Sequence, residues 1–167
     1  MATALDQILL ANKDHDVLMA LLSHYRNYPE WVVTVAFYKA LHIVDAVCLE
    51  SGFVPCGHAH RLDLLKRRPA WQPIHRHYQP LWIASGIARY LFDSDAQQGY
   101  GKFIDYMPVD DVVTHAVGKR LLGVEQTALQ AMKSPELKKR LKQLDPAKLP
   151  VIPSSPSPPP ASTNPST

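Results

Sequence analysis

The fold is decided by residues 31–50, which read WVVTVAFYKALHIVDAVCLE. The run is almost wholly apolar, Pro29 suits the first turn of a helix, and Ser51-Gly52 suits its end. A helix that is apolar on nearly all sides is buried by its neighbours in a globular protein. We therefore predict a central helix from about Trp31 to Glu50.

The sequence on both sides also reads as helices, because apolar residues recur at intervals of three and four and no sustained alternation of period two occurs. We predict a helix over about 4–25, in which polar residues 12–16 offer a break, a short helix over about 60–67 and another over about 78–92. We predict that Asp110 or Asp111 caps the start of a last long helix, and that a short basic helix begins at Ser134-Pro135. The apolar face of the long helix comprises Val113, Val117, Leu121, Val124, Ala128 and Met132. The predicted fold class is all-α, a helical bundle of about five helices.

Composition divides the chain in two. It has 167 residues and is 46% hydrophobic, enough for one core, but eight of its fifteen prolines lie from Pro146 onward. Segments with so little apolar surface remain disordered. We predict one bundle domain at 1–144 and a disordered Pro-rich tail at 145–167. Such a tail can dock into an aromatic groove as a polyproline helix, although a solvated extension is commoner.

The charge and the two cysteines favour a soluble protein of a reducing compartment. A formal net charge of +3 is far below that of a histone-like chain. Cys48 and Cys56 give no disulfide framework. The N-terminus lacks the pattern of a signal peptide, and Lys39 interrupts the longest apolar run. We expect a cytoplasmic protein that is not associated with a membrane.

Residues 57–77 concentrate the groups that can perform chemistry. They hold four of the eight histidines and five Lys or Arg residues, with Asp63 as the only acidic residue. Histidines beside cations bind phosphate and move protons near neutral pH. The histidines are His58, His60, His75 and His77, and the cations are Arg61, Lys66, Arg67, Arg68 and Arg76.

A polar stripe runs along the central helix, because Thr34, Tyr38, His42 and Asp45 share one of its faces. One interpretation is that Tyr38, His42 and Asp45 orient groups from the turn at residues 58–61. The other is a satisfied polar seam of the core in which Asp45 pairs with an arginine.

Known catalytic signatures are missing from the sequence. Cys56 and the four histidines are ligand types that zinc accepts, but they lack paired or helical metal-ligand spacing, and the neighbouring cations disfavour a dication. No nucleophile elbow, phosphate loop or dinucleotide fingerprint occurs. We predict no metal and no other cofactor, which leaves arginine and histidine chemistry on phosphate.

Several motifs together resemble a HEPN domain. They are Phe37-Tyr38-Lys39-Ala40-Leu41-His42, Gly52, His60-Arg61 with Leu64-Leu65, and Tyr78-x-x-Leu81-x-x-x-Ser85-x-x-Ala88-Arg89-Tyr90. The resemblance implies a small all-α bundle that forms a homodimer. Many HEPN domains are metal-independent endoribonucleases with an Arg-x4-6-His motif at the dimer cleft, and others are non-catalytic binding or partner modules.

The resemblance implies site residues as well. Arg68 and His75 are the one pair that matches the Arg-x4-6-His motif. The resemblance implies that Arg68 neutralises charge in the transition state and that His75 is the general base. Pro69 and Pro73 predict that the motif lies in a loop. The candidates for substrate binding are His60, Arg61, Arg67, Arg76 and His77. The residues expected to contact and orient them are Tyr38, His42 and Asp45.

Two functions are therefore expected from the sequence. The first is binding of RNA or a nucleotide, with metal-independent ribonuclease activity in a defence or toxin-antitoxin type system as its catalytic form. The alternative is a non-catalytic module that docks a partner protein, aided by the Pro-rich tail or the basic run Lys138-Lys139-Arg140-x-Lys142.

Overall fold

The computed structural model describes residues 2–152, and the fold is all-α, as predicted. The helices are α1 (Ala4–Leu22), α2 (Pro29–Glu50), α3 (His58–Arg67), α4 (Gln72–Tyr90), α5 (Phe103–Tyr106), α6 (Val109–Asp111), α7 (Leu122–Ala131) and α8 (Pro135–Arg140). A π-helical segment, Val112–Leu121, joins α6 to α7, and single 3-10 turns occur at Pro69–Trp71 and Pro146–Lys148. Two short antiparallel strands, β1 (Phe92–Asp93) and β2 (Gln98–Gly99), form a hairpin after α4.

Helix α2 is the centre of the bundle, which confirms the prediction for residues 31–50. It packs against α1, α4, the π-helical segment and α7. Pro29 occupies its first turn, and Gly52 follows its end with φ of 82°, a conformation that side chains other than glycine rarely adopt. In residues 2–152, α2 alone is long and apolar enough to cross a membrane, and most of its apolar window is buried by the other helices.

Helix α1 is continuous, so the break considered at residues 12–16 does not occur. These polar side chains have partners elsewhere in the fold: Asn12 bonds the backbone at both ends of the segment 140–142, and Asp16 pairs with Lys142. Polar residues therefore remain inside this helix because tertiary contacts satisfy them. A capping box between Thr3 and Asp6 begins the helix.

A buried ion pair joins three helices in the core. Lys39 of α2 and Glu125 of α7 are in contact, and their side chains are 0% and 1% exposed. Lys39 Nζ also donates to His15 Nδ1 of α1 at 2.8 Å, and the Leu144 N–H donates to Glu125 Oε2 at 2.8 Å. Burial lowers the pKa of Lys39 and raises that of Glu125, so each charge depends on the other for its stability.

This cluster makes folding sensitive to acid. Burial and the adjacent Lys39 lower the pKa of His15 from 6.5 to about 4. The unfolded chain therefore binds this proton at a higher pH than the folded chain does, and stability falls as the pH decreases from about 6.5 towards 4. Urea unfolding across this window should show the loss, and His15→Gln, which still accepts from Lys39, should reduce the pH dependence. An equal reduction in the exposed control His24→Gln would contradict the assignment to His15.

Helix α4 begins earlier than expected, and this corrects the placement of the Arg-x4-6-His motif. Pro73 lies in the first turn of α4, where its missing N–H leaves no bond unmade, so His75 stands on a helix and Arg68 precedes it. Pro80 lies inside α4 and cannot donate to the carbonyl of Arg76. That carbonyl accepts from Arg120 Nη1 at 3.3 Å instead.

The last helices and the segment after them close the bundle. All six residues of the predicted apolar face are at most 2% exposed. Leu144 is buried, and Leu149 and Ile152 pack against the core, so the packed chain extends beyond the predicted boundary at residue 144. The rest of the predicted tail, residues 153–167, lies outside the described residues.

Candidate nucleic-acid interface

A groove lies where the start of α3, the second half of α4 and β1 meet, and we call it the aromatic groove. Its volume is about 390 Å³. The residues that line it are His58, Trp82, Ile83, Gly86, Arg89, Tyr90, Phe92, Asp93 and Ser94. A Cβ atom built at Gly86 meets no other atom within 4 Å, so the missing side chain leaves the groove open.

His58 is packed at one end of the aromatic groove. Its ring centroid lies 5.6 Å from that of Phe37 and 6.3 Å from that of Trp82. Arg61 Nη1 lies 3.4 Å from its Nδ1. Burial, followed by the charges of Arg61 and Arg89, lowers the pKa of His58 below its usual value of 6.5. The imidazole is therefore neutral at pH 7, the state in which it can accept a proton.

Asp45 holds Arg61 beneath this histidine. Arg61 Nε lies 2.6 Å from Asp45 Oδ1, and its Nη2 lies 2.9 Å from Oδ2. Such a two-bond pair fixes the plane of the guanidinium as well as its position. Arg61 is only 6% exposed, and the carboxylate balances its charge, so the role of this buried pair is to orient the side chains around it.

The polar stripe of α2 faces three different elements. Asp45 faces α3 through Arg61, as both sequence interpretations required. His42 faces α1, with its Nδ1 2.7 Å from Gln7 Oε1 and its Nε2 3.7 Å from Asp14 Oδ2. Tyr38 faces α4, where the Arg89 guanidinium lies 6.0 Å from its ring centroid. The stripe is therefore partly a structural seam and partly a support for the groove.

Arg89 provides the exposed positive charge of the aromatic groove. Its Nε donates to the Ser85 carbonyl at 3.0 Å, and its guanidinium lies 5.1 Å from the ring centroid of Tyr90. The other guanidinium nitrogens point to no acceptor in residues 2–152, whereas Tyr90 and Phe92 are 70% and 45% exposed. A cation and two accessible rings thus stand side by side.

The two predicted catalytic residues lie outside this groove. Arg68 stacks on aromatic rings, 3.6 Å from the centroid of Phe53 and 4.9 Å from that of Trp71. His75 is half-buried on α4, and burial followed by the charge of Lys66 lowers its pKa. No hydrogen bond joins Arg68 to His75 within the described chain.

The predicted substrate-binding residues are dispersed. His60 Nδ1 accepts from the Cys56 N–H at 3.0 Å and so closes the turn before α3, while Arg67 pairs with Asp63 on the surface. Arg76 is exposed on α4. His77 packs over Gly123, where a Cβ atom would lie 2.3 Å from its Nδ1. Arg61 alone of this set borders the aromatic groove.

The sequence interpretation missed the residues that line the groove. In the sequence, His58 belongs to the histidine cluster and Arg89-Tyr90 to the motifs of the resemblance, but neither pattern predicts that these residues form a site. Trp82 was not noted at all. A usable signal was the spacing Trp82-x-x-x-Gly86-x-x-Arg89, which puts an aromatic ring, a gap and a cation on neighbouring turns of one helix.

The groove brings together groups of the types that stack on bases and bind phosphate. Aromatic rings bind the faces of nucleobases, and arginine binds phosphate oxygens. Asp93 adds an acceptor at the rim. Within residues 2–152, no three His, Cys, Asp or Glu side chains are grouped so that they could hold a metal ion.

Comparison of the chain with protein-family models, with curated proteins and with solved structures found no match.

Proposed function

We propose that this protein is a HEPN-like domain that binds single-stranded RNA or a nucleotide in the aromatic groove. The observation that carries the proposal is the arrangement of Trp82, Tyr90 and Arg89 around one open groove. Bases would stack on the rings, and a phosphate would bind the Arg89 guanidinium.

The resemblance to HEPN domains supports the proposal from a second direction. Its motifs include His60-Arg61 and Arg89-Tyr90. Arg61 contacts the groove residue His58, and both Arg89 and Tyr90 line the groove. The resemblance also implies a homodimer. Sedimentation equilibrium would test the dimer directly, because a monomer has a mass of 18.7 kDa.

RNA binding tests the proposal. Arg89→Ala should weaken binding of a labelled mixed-sequence single strand about tenfold or more and reduce the slope of log affinity against log salt by about one. Gly86→Leu should abolish binding without loss of fold, because its side chain fills open space and leucine is a good helix former. Anisotropy titrations of the RNA, with AMP in a separate series, would measure both effects.

The control for charge is Lys13→Ala, an exposed residue of α1. It should leave the affinity within about twofold, because surface charges far from the ligand are screened by salt. Unchanged affinity in both Arg89→Ala and Gly86→Leu would refute the groove as the binding site.

If the protein is an enzyme, the proposed reaction is cleavage of the RNA that it binds. In cleavage, the ribose 2'-hydroxyl oxygen would bond to phosphorus while the bond from phosphorus to the 5'-oxygen of the next nucleotide breaks, giving a 2',3'-cyclic phosphate and a 5'-hydroxyl. A neutral histidine would take the 2'-hydroxyl proton, and water would return a proton to the departing 5'-oxygen. Incubation of labelled RNA in EDTA with wild type, His58→Ala, His60→Ala and His75→Ala would identify that histidine. Loss of cleavage in His58→Ala alone would place the chemistry in the groove, and loss in His75→Ala alone would place it at the Arg-x4-6-His motif.

A protein-interaction module is the second candidate, favoured by Trp31. This ring is 58% exposed on α2, beside a depression that it shares with Arg89. Exposed tryptophan is a frequent anchor in protein interfaces. Salt separates the two candidates, since binding through phosphate weakens steeply as salt rises and binding through an apolar face does not.

A further inference from the structure

We propose that the Pro-rich segment after residue 152 folds back and docks in the aromatic groove of its own chain, with the run Pro158–Pro160 against the rings. The occupant is therefore a segment of this chain, residues 153–167. The contact itself does not depend on the proposed function, because it requires only a groove and a ligand of matching shape.

The place where the described chain ends supports this docking. Lys148 and Pro150 lie beside Tyr25, in a depression at the end of α1. The guanidinium of Arg26 lies 5.1 Å from the ring centroid of Tyr25, and Arg26 and Arg89 line one further depression. Arg89 also lines the aromatic groove, so neighbouring depressions, linked by the Tyr25–Arg26 contact and by Arg89, lead from Pro150 towards the groove.

The remaining chain is long enough to follow this path. Residues 25–29 lie in and after a turn, and nine residues of helix lead from Pro29 to Tyr38, so Tyr38 lies no more than about 27 Å from Tyr25. Tyr38 is in turn adjacent to Arg89. Pro158–Pro160 follow Pro150 by eight to ten residues, which is about 25–31 Å of polyproline helix. The proline run is therefore long enough to reach the groove.

The composition of the groove suits prolines. Domains that recognise polyproline helices use grooves lined by aromatic side chains, against which the proline rings pack. The aromatic groove offers Trp82, Tyr90 and Phe92 for this purpose. The segment 153–167 contains no acidic or basic residue, so the cations around the groove neither attract nor repel it. If the groove also binds RNA as proposed above, the tail competes with that ligand.

Paramagnetic NMR on the full chain tests the contact. Cys56 is exposed and lies two residues before His58, whereas Cys48 is fully buried, so a nitroxide reagent labels the edge of the groove selectively. Tethering gives an effective concentration in the millimolar range, which populates even a weak contact to about half. We therefore expect the Ser157 and Ala161 amide signals to fall at least about twofold in the oxidised sample relative to the reduced one.

Two variants localise the contact. The first variant, Gly86→Leu, fills the groove. The second changes Pro158, Pro159 and Pro160 to alanine, and all three lie outside the described residues. The second variant therefore still tests the contact if the first one unfolds. Both should restore the two signals. Equal signals in oxidised and reduced wild type would overturn the proposal, as would broadening that persists in either folded variant.

Isotope mixing distinguishes the chain's own tail from that of a second copy. In a mixture of ¹⁵N protein without nitroxide and unlabelled protein carrying nitroxide, docking within one chain predicts no broadening. Broadening in the mixture would assign the groove to another molecule's tail and overturn the proposal. Because RNA is absent from every sample, the result is independent of whether the groove binds nucleic acid.

Discussion

Replacement of Glu125 by alanine is expected to destabilise the protein by about 3–5 kcal/mol, the usual effect of breaking a buried ion pair from one side. The substitution leaves the fully buried ammonium of Lys39 with no opposite charge and the Leu144 N–H without its acceptor. Urea unfolding monitored by far-UV circular dichroism would measure the change in the free energy of unfolding.

A matched double variant separates the charge effect from loss of packing. Lys39→Met with Glu125→Met keeps the apolar volume and removes both charges, so stability should recover much of the loss. The recovery should remain incomplete, because His15 and the Leu144 N–H lose their partners. Wild-type stability in Glu125→Ala would show that the pair does not exist in solution.

Replacement of Asp45 by alanine is the second large effect, expected at about 3 kcal/mol. Arg61 is almost fully buried and would lose both hydrogen bonds to the carboxylate. The unpaired guanidinium also lies beside His58, so the pKa of His58 should fall further when the balancing carboxylate is removed. Chemical denaturation measures the first effect, and NMR titration of the His58 ring measures the second.

Asp63→Ala provides the control for Asp45→Ala. Asp63 pairs with Arg67 along α3, but both side chains are substantially exposed, at 43% and 78%. An exposed pair of this kind contributes about 0.3–0.5 kcal/mol. A loss in Asp63→Ala as large as that in Asp45→Ala would mean that burial is not what makes the Asp45–Arg61 pair important.

The fold was largely predictable because its signals are local. The apolar run of α2, the proline before it and the glycine after it act within a few residues of one another, and the structure bears out each of them. The apolar face of the last long helix was predictable for the same reason. Local signals were less decisive at two places. The break that residues 12–16 offered within the predicted first helix does not occur, because distant contacts satisfy the polar side chains, and the loop predicted at Pro73 is wrong, because this proline occupies the first turn of α4.

The candidate site was only partly predictable. Tyr38 and Asp45 stood out because polar groups on an apolar helix need partners. The structure puts Tyr38 beside Arg89 and pairs Asp45 with Arg61, although of these four residues only Arg89 lines the groove. The same reasoning could not identify Lys39 as a buried charge, since its partner Glu125 is 86 residues away. It also favoured residues that are close in sequence, such as Arg68 and His75, whereas the groove is lined by side chains from three separate elements.

The sequence by itself determined the helices, their order and the central position of α2, because helix formation and burial depend on nearby residues and on the period of the apolar pattern. Only the tertiary structure decided which charges are buried together and which side chains meet in the aromatic groove. Those contacts join residues far apart in the chain, and their energies depend on distance and burial, which exist only once the helices have packed.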